Sequence, residues 1–535
     1  MSFFRESGDK FFLASSVAVL GILISVFVAL FMKVMPQIGI APAEQSESTL
    51  NSDRPKLNAS ARPTRTARQE QASIKVLGDT FSGYSTFRAA EFQANLSEVG
   101  IELTYADEFD QAVRAQQLNQ EADIVVTTLD QFLQQQPAGK IVGLIDRTVG
   151  ADAVVLNTQQ YPELKSLETL KTLTEKAKKE GKSLSIAFAA DTPSEYLALV
   201  LDTRFEAFDL DDFELQELVD ASEVWEKMQD PQQSIAVGIL WEPFVAQATD
   251  QGNTILLSSQ DAPESIIDVI VASDKLLESS PDVVSTFLEA YYRRIDASVQ
   301  DAALLKAQIA TDGEISETDA AKIISGIDFF TAVEAQKWLT DGTLASRIES
   351  TAAVLAFSKR IGSVPKDIAA LLSPAEIEIA ARNNRALAEF LKDQPDVAKR
   401  LMGEGQTVAA GPQAVATADI GNLAIEGQIT FEVGTAQLTS DSQATLNNLA
   451  QKIKEFNKNT VAVRIIGHTS SGGSADRNQE LSDLRAQAVA SYLRKQGLDH
   501  TFQAEGKGAT QPLPNTPAAD PKNQRTEIRL VRVKG

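Results

Sequence analysis

From Ser73 onward, short apolar runs alternate with amphipathic stretches, and this alternation says most about the fold. Residues 74–77, 101–104 and 122–127 are brief apolar runs between polar flanks, which predicts strands, and 87–99 carries apolar positions at helical spacing. Further strands are expected at 141–144, 153–156, 184–188 and 235–240. Such an order predicts an α/β fold with a largely parallel sheet. In 281–299, Val284, Phe287, Leu288, Tyr291 and Ile295 form one apolar stripe, so a helix packed on the core is expected there. The pattern from 314 to 402 is almost entirely helical.

The C-terminal part repeats the alternation on a smaller scale. A strand is expected over 427–433, and Leu446, Leu449, Ala450, Ile453 and Phe456 mark a helix. A strand at 461–466 follows, then a helix from about 479 with Leu481, Leu484, Ala488 and Tyr492 on one face, and a last strand at 525–533. The order is β-α-β-α-β. Residues 403–421, rich in Gly, Ala, Thr and Gln, and 36–73, rich in Ala, Ser, Pro, Gln and Arg, lack periodicity and predict linkers. Residues 11–32 are apolar and uncharged, roughly 33 Å long as a helix against a hydrocarbon core of about 30 Å. One membrane crossing is expected; a cleaved leader ending near Ala41-Pro42-Ala43 is the alternative. The predicted division is 1–35 cytoplasmic stub and anchor, 36–73 linker, 74–345 two-lobed α/β domain, 346–404 helical extension, 405–421 linker and 422–535 terminal domain.

Composition narrows the chemistry. The 535 residues include no cysteine and only two histidines, His468 and His500, so no metal site and no cofactor are expected. A formal charge of −23 excludes a general nucleic-acid role, which needs clustered Lys and Arg. No nucleophile, base and orienting partner appear at diagnostic spacing, and no Gly-x-Ser-x-Gly elbow or P-loop is present, so the expectation is that the chain is not an enzyme. Arg5 and Lys10 precede the apolar run and only Lys33 closely follows it, an asymmetry that favours a cytoplasmic N-terminus and an exported bulk.

Gly467-His468-Thr469-Ser470, a Gly/Ser turn, and then Asn478, Leu481, Ser482, Arg485 and Ala486 resemble the peptidoglycan-binding domain that ends OmpA-like, Pal-like and MotB-like proteins. In that family an Asp directly after Gly-His-Thr and the Arg of the Leu-Ser-x-x-Arg-Ala helix grip the diaminopimelate of the peptide stem. The resemblance implies that Ser470, Asn478, Arg485 and Arg525 contact peptidoglycan; for Arg525 the alternative is that it pins the last strand. Ser470 departs from the family Asp and brings no charge to the ligand's ammonium; Asp476 is a possible substitute or a solvated turn residue.

Ala122-Asp123-Ile124-Val125-Val126-Thr127-Thr128, Gly181-Lys182-Ser183-Leu184-Ser185-Ile186-Ala187 and Gly238-Ile239-Leu240-Trp241-Glu242-Pro243-Phe244, in that order, resemble the periplasmic solute-binding proteins of the taurine, aliphatic sulfonate, nitrate and thiamine-precursor type. That fold places ligand between two lobes at loops after strand C-termini, so Tyr84, Ser85, Thr86, Thr127, Thr128, Thr192, Ser194, Trp241 and Glu242 are candidate ligand contacts. For Ser85, Thr86, Thr192 and Ser194 the alternative is helix capping; for Glu242 it is a lobe-hinge contact. Arg147 is either a clamp for an anionic group or a hinge salt bridge with Asp146 or Asp152.

The apolar run and its flanking charges, taken with the two resemblances, imply a single-pass protein of the bacterial inner membrane with its bulk in the periplasm, binding a small anionic solute and peptidoglycan. The implied partners are peptidoglycan, a small-molecule solute, the cytoplasmic membrane and a membrane transporter or sensor subunit. Two alternatives share the terminal domain, a MotB-like energy-transducing subunit and a structural tether. The apolar run lacks the acidic residue that the first would need.

Overall fold

The computed structural model describes residues 72–404 and 415–534. Eleven strands, formed largely where apolar runs were expected, build two sheets: β1 (Ala72–Gly78), β2 (Ile101–Asp107), β3 (Ile124–Thr128), β4 (Gly139–Thr148), β5 (Asp152–Leu156), β6 (Ser185–Ala189), β7 (Glu214–Leu218), β8 (Ile235–Trp241), β9 (Thr254–Ser258), β10 (Ile267–Ser273) and β11 (Ile327–Phe329). One sheet has the order β11-β4-β10-β3-β1-β2, the other β7-β6-β8-β5-β9. Each is the centre of one lobe.

The chain leaves the first lobe between β4 and β5 and returns between β9 and β10. A departing strand and a returning strand that lie side by side must run in opposite directions. Accordingly β4 pairs with β10, and β5 with β9, antiparallel, while β1–β2, β1–β3, β6–β7 and β6–β8 are parallel. The expected largely parallel sheet is therefore corrected to two mixed sheets. Runs buried on both faces carry no signal of strand direction.

Five helices matter for the sites: α1 (Pro193–Arg204), α2 (Pro281–Gln300), α3 (Thr343–Phe357), α4 (Ser440–Lys454) and α5 (Ala475–Lys495). Val284, Phe287, Leu288, Tyr291 and Ile295 of α2 are all buried, as their stripe predicts. Helix α1 is wedged between two cores. Its Leu197, Ala198 and Leu201 join the core of the second lobe, and Tyr196, Leu199 and Val200 join the core that holds the first lobe and α3.

The terminal domain adds β12 (Val415–Asn422), β13 (Val461–Gly467), β14 (Phe502–Gly506) and β15 (Thr526–Lys534) in the order β12-β15-β13-β14, with α4 and α5 packed against them. Two expectations change. The first strand lies at Val415–Asn422, within the stretch read as linker, and 427–433 contributes only a bridge between Phe431 and Leu438. The core face of α5 carries Ser482, Arg485, Ala486, Val489 and Leu493, whereas Leu484 is 48% exposed. A polar pair occupies the buried stripe, so the apolar residues alone pointed to the wrong face.

The inner-membrane, single-pass placement is also corrected. No helix among the described residues is long and apolar enough to cross a membrane, and the apolar run 11–32 lies outside the described residues. The longest helices, α2 and α5, are amphipathic and carry Arg293, Arg294, Arg477 and Arg494 among their residues.

Candidate functional site

The sheet of the first lobe holds a buried acidic floor where β3, β10 and β4 lie side by side. Asp268 on β10 stands opposite Thr128 on β3, and on its other side the β10–β4 register runs from Ile267–Arg147 to Val269–Leu144 through a bulge, which brings Asp146 beside it. Both carboxyls are sealed off, Asp146 at 0% and Asp268 at 1% exposure. Tyr84, from the turn after β1, donates its hydroxyl to Asp268. Gly83 lies directly over the second acid, since a Cβ there would stand 2.3 Å from Asp146 Oδ2. Glycine is required for so close an approach.

Burial dominates the electrostatics. It raises Asp146, opposed by the hydrogen bond that Asp146 shares with Asp268 and helped by Asp328 and Asp152, and pushes Asp152 up to about 7, with Glu242 adding. Asp268 is raised by burial and then by Asp146, and Asp130 is raised by burial. The Tyr291 hydroxyl on α2, fully buried, has no hydrogen-bond partner and is raised by burial and by the fields of Tyr292, Asp146 and Asp268. This is an acidic floor.

The expected solute contacts divide. Tyr84 and Thr128 reach the floor. Ser85 and Thr86 both accept from Gln308 Nε2 at 3.1 Å, and neither is the N-cap of the helix that follows. Thr127 donates to Gln111 at 2.9 Å beside a hollow of about 10 Å³, room for one water, lined also by Arg114, Gln131 and Phe132. Thr192 caps α1, accepting from Ser194 N at 3.2 Å, while the buried Ser194 hydroxyl has no partner. Trp241 ends β8 half-buried opposite Asp152, and Glu242 accepts from Ala246 N at 3.1 Å.

Arg147 turns away from the floor. Its Nε donates to Asp328 at 2.9 Å, another nitrogen lies 3.0 Å from Glu334, and the guanidinium carbon sits 4.9 Å from the Phe330 ring centre. Its salt bridge is with neither Asp146 nor Asp152, because alternate residues of β4 face opposite sides of the sheet. Sequence reading missed Asp268, Asp130, Tyr291 and Arg114. An aspartate inside the apolar run Ile266-Ile267-Asp268-Val269-Ile270 was the available signal for the first.

In the terminal domain, Gly467 and Gly506 let α5 lie against the strand ends. A Cβ on Gly467 would stand 2.3 Å from the Ser482 carbonyl oxygen. One turn on, Arg485 is 6% exposed, donates Nε to the Thr435 carbonyl at 3.1 Å and lies 4.9 Å over the Phe431 ring. No carboxylate pairs with it among the described residues, and burial lowers its pKa from the usual guanidinium value. Ser470 accepts from Gln524 Nε2 at 3.2 Å, and Asn478 donates to the Ser470 carbonyl at 3.3 Å. Asp476 is exposed in the first turn of α5. Arg525 pairs with Glu527 at 2.6 Å, and Glu527 also lies 3.3 Å from His468 Nε2. Burial opposes ionisation of Glu527, but His468 and Arg525 together hold it down to about 2.

Comparison with known proteins places this terminal domain. Residues 430–526 match the OmpA family. The terminal region is thus an OmpA-like domain, 37% identical over 111 residues to "Probable lipoprotein YiaD" of Escherichia coli (strain K12), a match covering 20% of this chain and 50% of that protein. The chain therefore spans about half the length of that relative. The OmpA-like domain of FopA1 from Francisella tularensis subsp. tularensis SCHU S4 is 26% identical, with 24% of this chain and 88% of that chain covered and a TM-score of 0.18. The two-lobed part is similar to the periplasmic aliphatic sulphonate binding protein SsuA from Escherichia coli, at 13% identity and a TM-score of 0.44, covering 56% of this chain and 92% of that chain.

Proposed function

We propose that this chain is a wall-associated binding protein that captures a small solute between its lobes and holds peptidoglycan through the OmpA-like domain, in the service of transport or sensing. The observation that carries the wall-binding half is Arg485, a buried guanidinium stacked on Phe431 with no acidic partner among the described residues. Such a group is a strong recognition point for a stem-peptide carboxylate, which it can grip bidentately. Ser470 leaves the amine of that stem without a charged partner, so affinity rests on the carboxylate half. Sedimentation of the protein with purified sacculi tests this. Arg485→Ala is expected to leave the protein in the supernatant and Arg485→Lys to retain part of the binding; co-sedimentation unchanged by Arg485→Ala removes the residue from the site.

A second reading is a tether in which the two-lobed part is a rigid spacer. One observation favours it: Ile186, Phe188, Leu201 and Phe205 share a single apolar cluster with Leu446, Leu449, Ile453 and Phe456 of the OmpA-like domain. The two readings separate on whether the isolated solute-exchange step exists. Calorimetry with small solutes showing no binding of any kind favours the spacer.

A further inference from the structure

We propose that α3 is a strap that holds the two lobes against each other, so that they part only when it lifts from α1. The strap stands whether the lobes take a solute between them or serve as a spacer.

The path of the chain carries the argument. The polypeptide passes from lobe to lobe at 149–151 and 259–266, and short connections of this kind are where hinge motion is absorbed. Helix α3 is neither crossing. It leaves from the first lobe and comes back to it: before α3, Phe330 N donates to Ile145 O of β4 at 2.9 Å, and after it Leu372 bridges Ile141 of the same strand, with Ser373 N donating to Ile141 O at 2.9 Å. Between these anchors α3 packs both on the first-lobe helix Leu129–Gln135 and on α1, whose Leu197, Ala198 and Leu201 belong to the core of the second lobe. A segment fixed at both ends to one body and laid over the other ties the two together.

The seam between α1 and α3 is apolar along its middle and pinned at each end. Tyr196, Leu199 and Val200 of α1 are buried in one cluster with Leu344, Ile348 and Leu355 of α3, and the Tyr196 hydroxyl bonds to Thr351. At the start of α1, the buried Glu195 pairs with Arg360 just past α3, and its other oxygen accepts from Asp191 N at 2.8 Å. At the far end of α1, Arg204 donates to Ser350 Oγ of α3 at 3.1 Å, and both side chains meet Glu455 of the OmpA-like domain. Parting the lobes returns those apolar side chains to water and strips Glu195 and Arg204 of partners, and each loss opposes the motion. The wall-binding domain holds one end of the seam.

The test measures distances between the lobes in the whole protein, whose lack of native cysteine lets introduced pairs be spin-labelled cleanly. Asn95→Cys with Lys171→Cys and Glu278→Cys with Glu226→Cys each place one label on an exposed helical position of either lobe, for pulsed electron resonance. The parent is expected to give one narrow distance for each pair. Arg360→Glu sets like charge against Glu195, and Leu199→Ala thins the apolar seam; each is expected to add a second, longer distance in about a tenth of the molecules or more. The two substitutions act on different parts of the seam, so if circular dichroism shows one variant misfolded the other decides. Two distances already present in comparable amounts in the parent overturn the strap, as does a folded variant that keeps the parent's narrow distance at both pairs.

Discussion

Glu455 of the OmpA-like domain receives Arg204 of the second lobe on both carboxylate oxygens, Nε to Oε2 and an Nη to Oε1, each at 3.1 Å. The same carboxylate accepts from Ser350 and lies 3.9 Å from Arg347, both on α3, which packs into the core of the first lobe. A single acid on the wall-binding side thus joins elements of both lobes. Around it, Phe205 and Phe456 meet edge-on at 6.1 Å, and Asn457 N donates to Asp261 O at 2.7 Å in the segment that returns to the first lobe. The domain boundary is a continuous packed and hydrogen-bonded surface.

Removing Glu455 strands two guanidiniums whose side chains are only 9% and 5% exposed. Loss of one partner from a buried ion pair costs about 3–5 kcal/mol, far above the roughly 0–1 kcal/mol of a surface pair. Glu455→Ala is therefore expected to lower the unfolding midpoint by several degrees in differential scanning calorimetry and to split the transition into two. A single transition within a degree of the parent would mean that the lobes and the wall domain do not depend on this contact.

Strand and helix positions were readable because burial leaves a period in the chain: α2 and α4 bury the residues their stripes name. What was not readable followed from polar residues in buried positions. Arg485 and Ser482 hid the true inner face of α5, Asp268 sat inside an apolar run, and Arg147 chose Asp328 and Glu334, residues 181 and 187 positions away in the chain. Partners at such separation are set by topology, which local pattern does not encode.

The glycine beneath α5 gives a test of positioning. In Gly467→Ala the new Cβ meets backbone of Ser482, which has little room to yield, and overpacking of this kind costs about 1–3 kcal/mol. Because Arg485 rides on the same helix, sacculus binding is expected to fall together with stability. Gly472→Ala, where a Cβ meets nothing within 4 Å, is the matched control and is expected to change neither. Equal binding by both variants would show that the helix approach does not set the Arg485 pocket.

Ser470 invites the reverse experiment. Its hydroxyl accepts from Gln524 and presents no charge. Ser470→Asp restores an ionised acceptor, and a hydrogen bond to a charged group contributes roughly 1.5–3 kcal/mol, so affinity for a soluble stem peptide containing diaminopimelate is expected to rise at least tenfold in calorimetry. No gain would place the peptide's amine elsewhere.

Stability should depend on pH through the acidic floor. An aspartate has a pKa of about 3.9 in an unfolded chain, and in the folded protein burial raises the coupled pair Asp146 and Asp268 and pushes Asp152 and Asp296 up to about 7. Above about 4 the native state binds more protons than the unfolded one, so stability falls as pH rises through 7. Glu527, held down to about 2, works the other way and lowers stability only as pH drops from about 4 towards 2. Urea midpoints measured from pH 5 to pH 8 are therefore expected to decline, and Asp146→Asn to make that decline shallower while raising the midpoint at pH 8. A flat profile in the parent protein, or a lower midpoint for the variant at pH 8, would show that Asp146 is already ionised and satisfied in the folded chain.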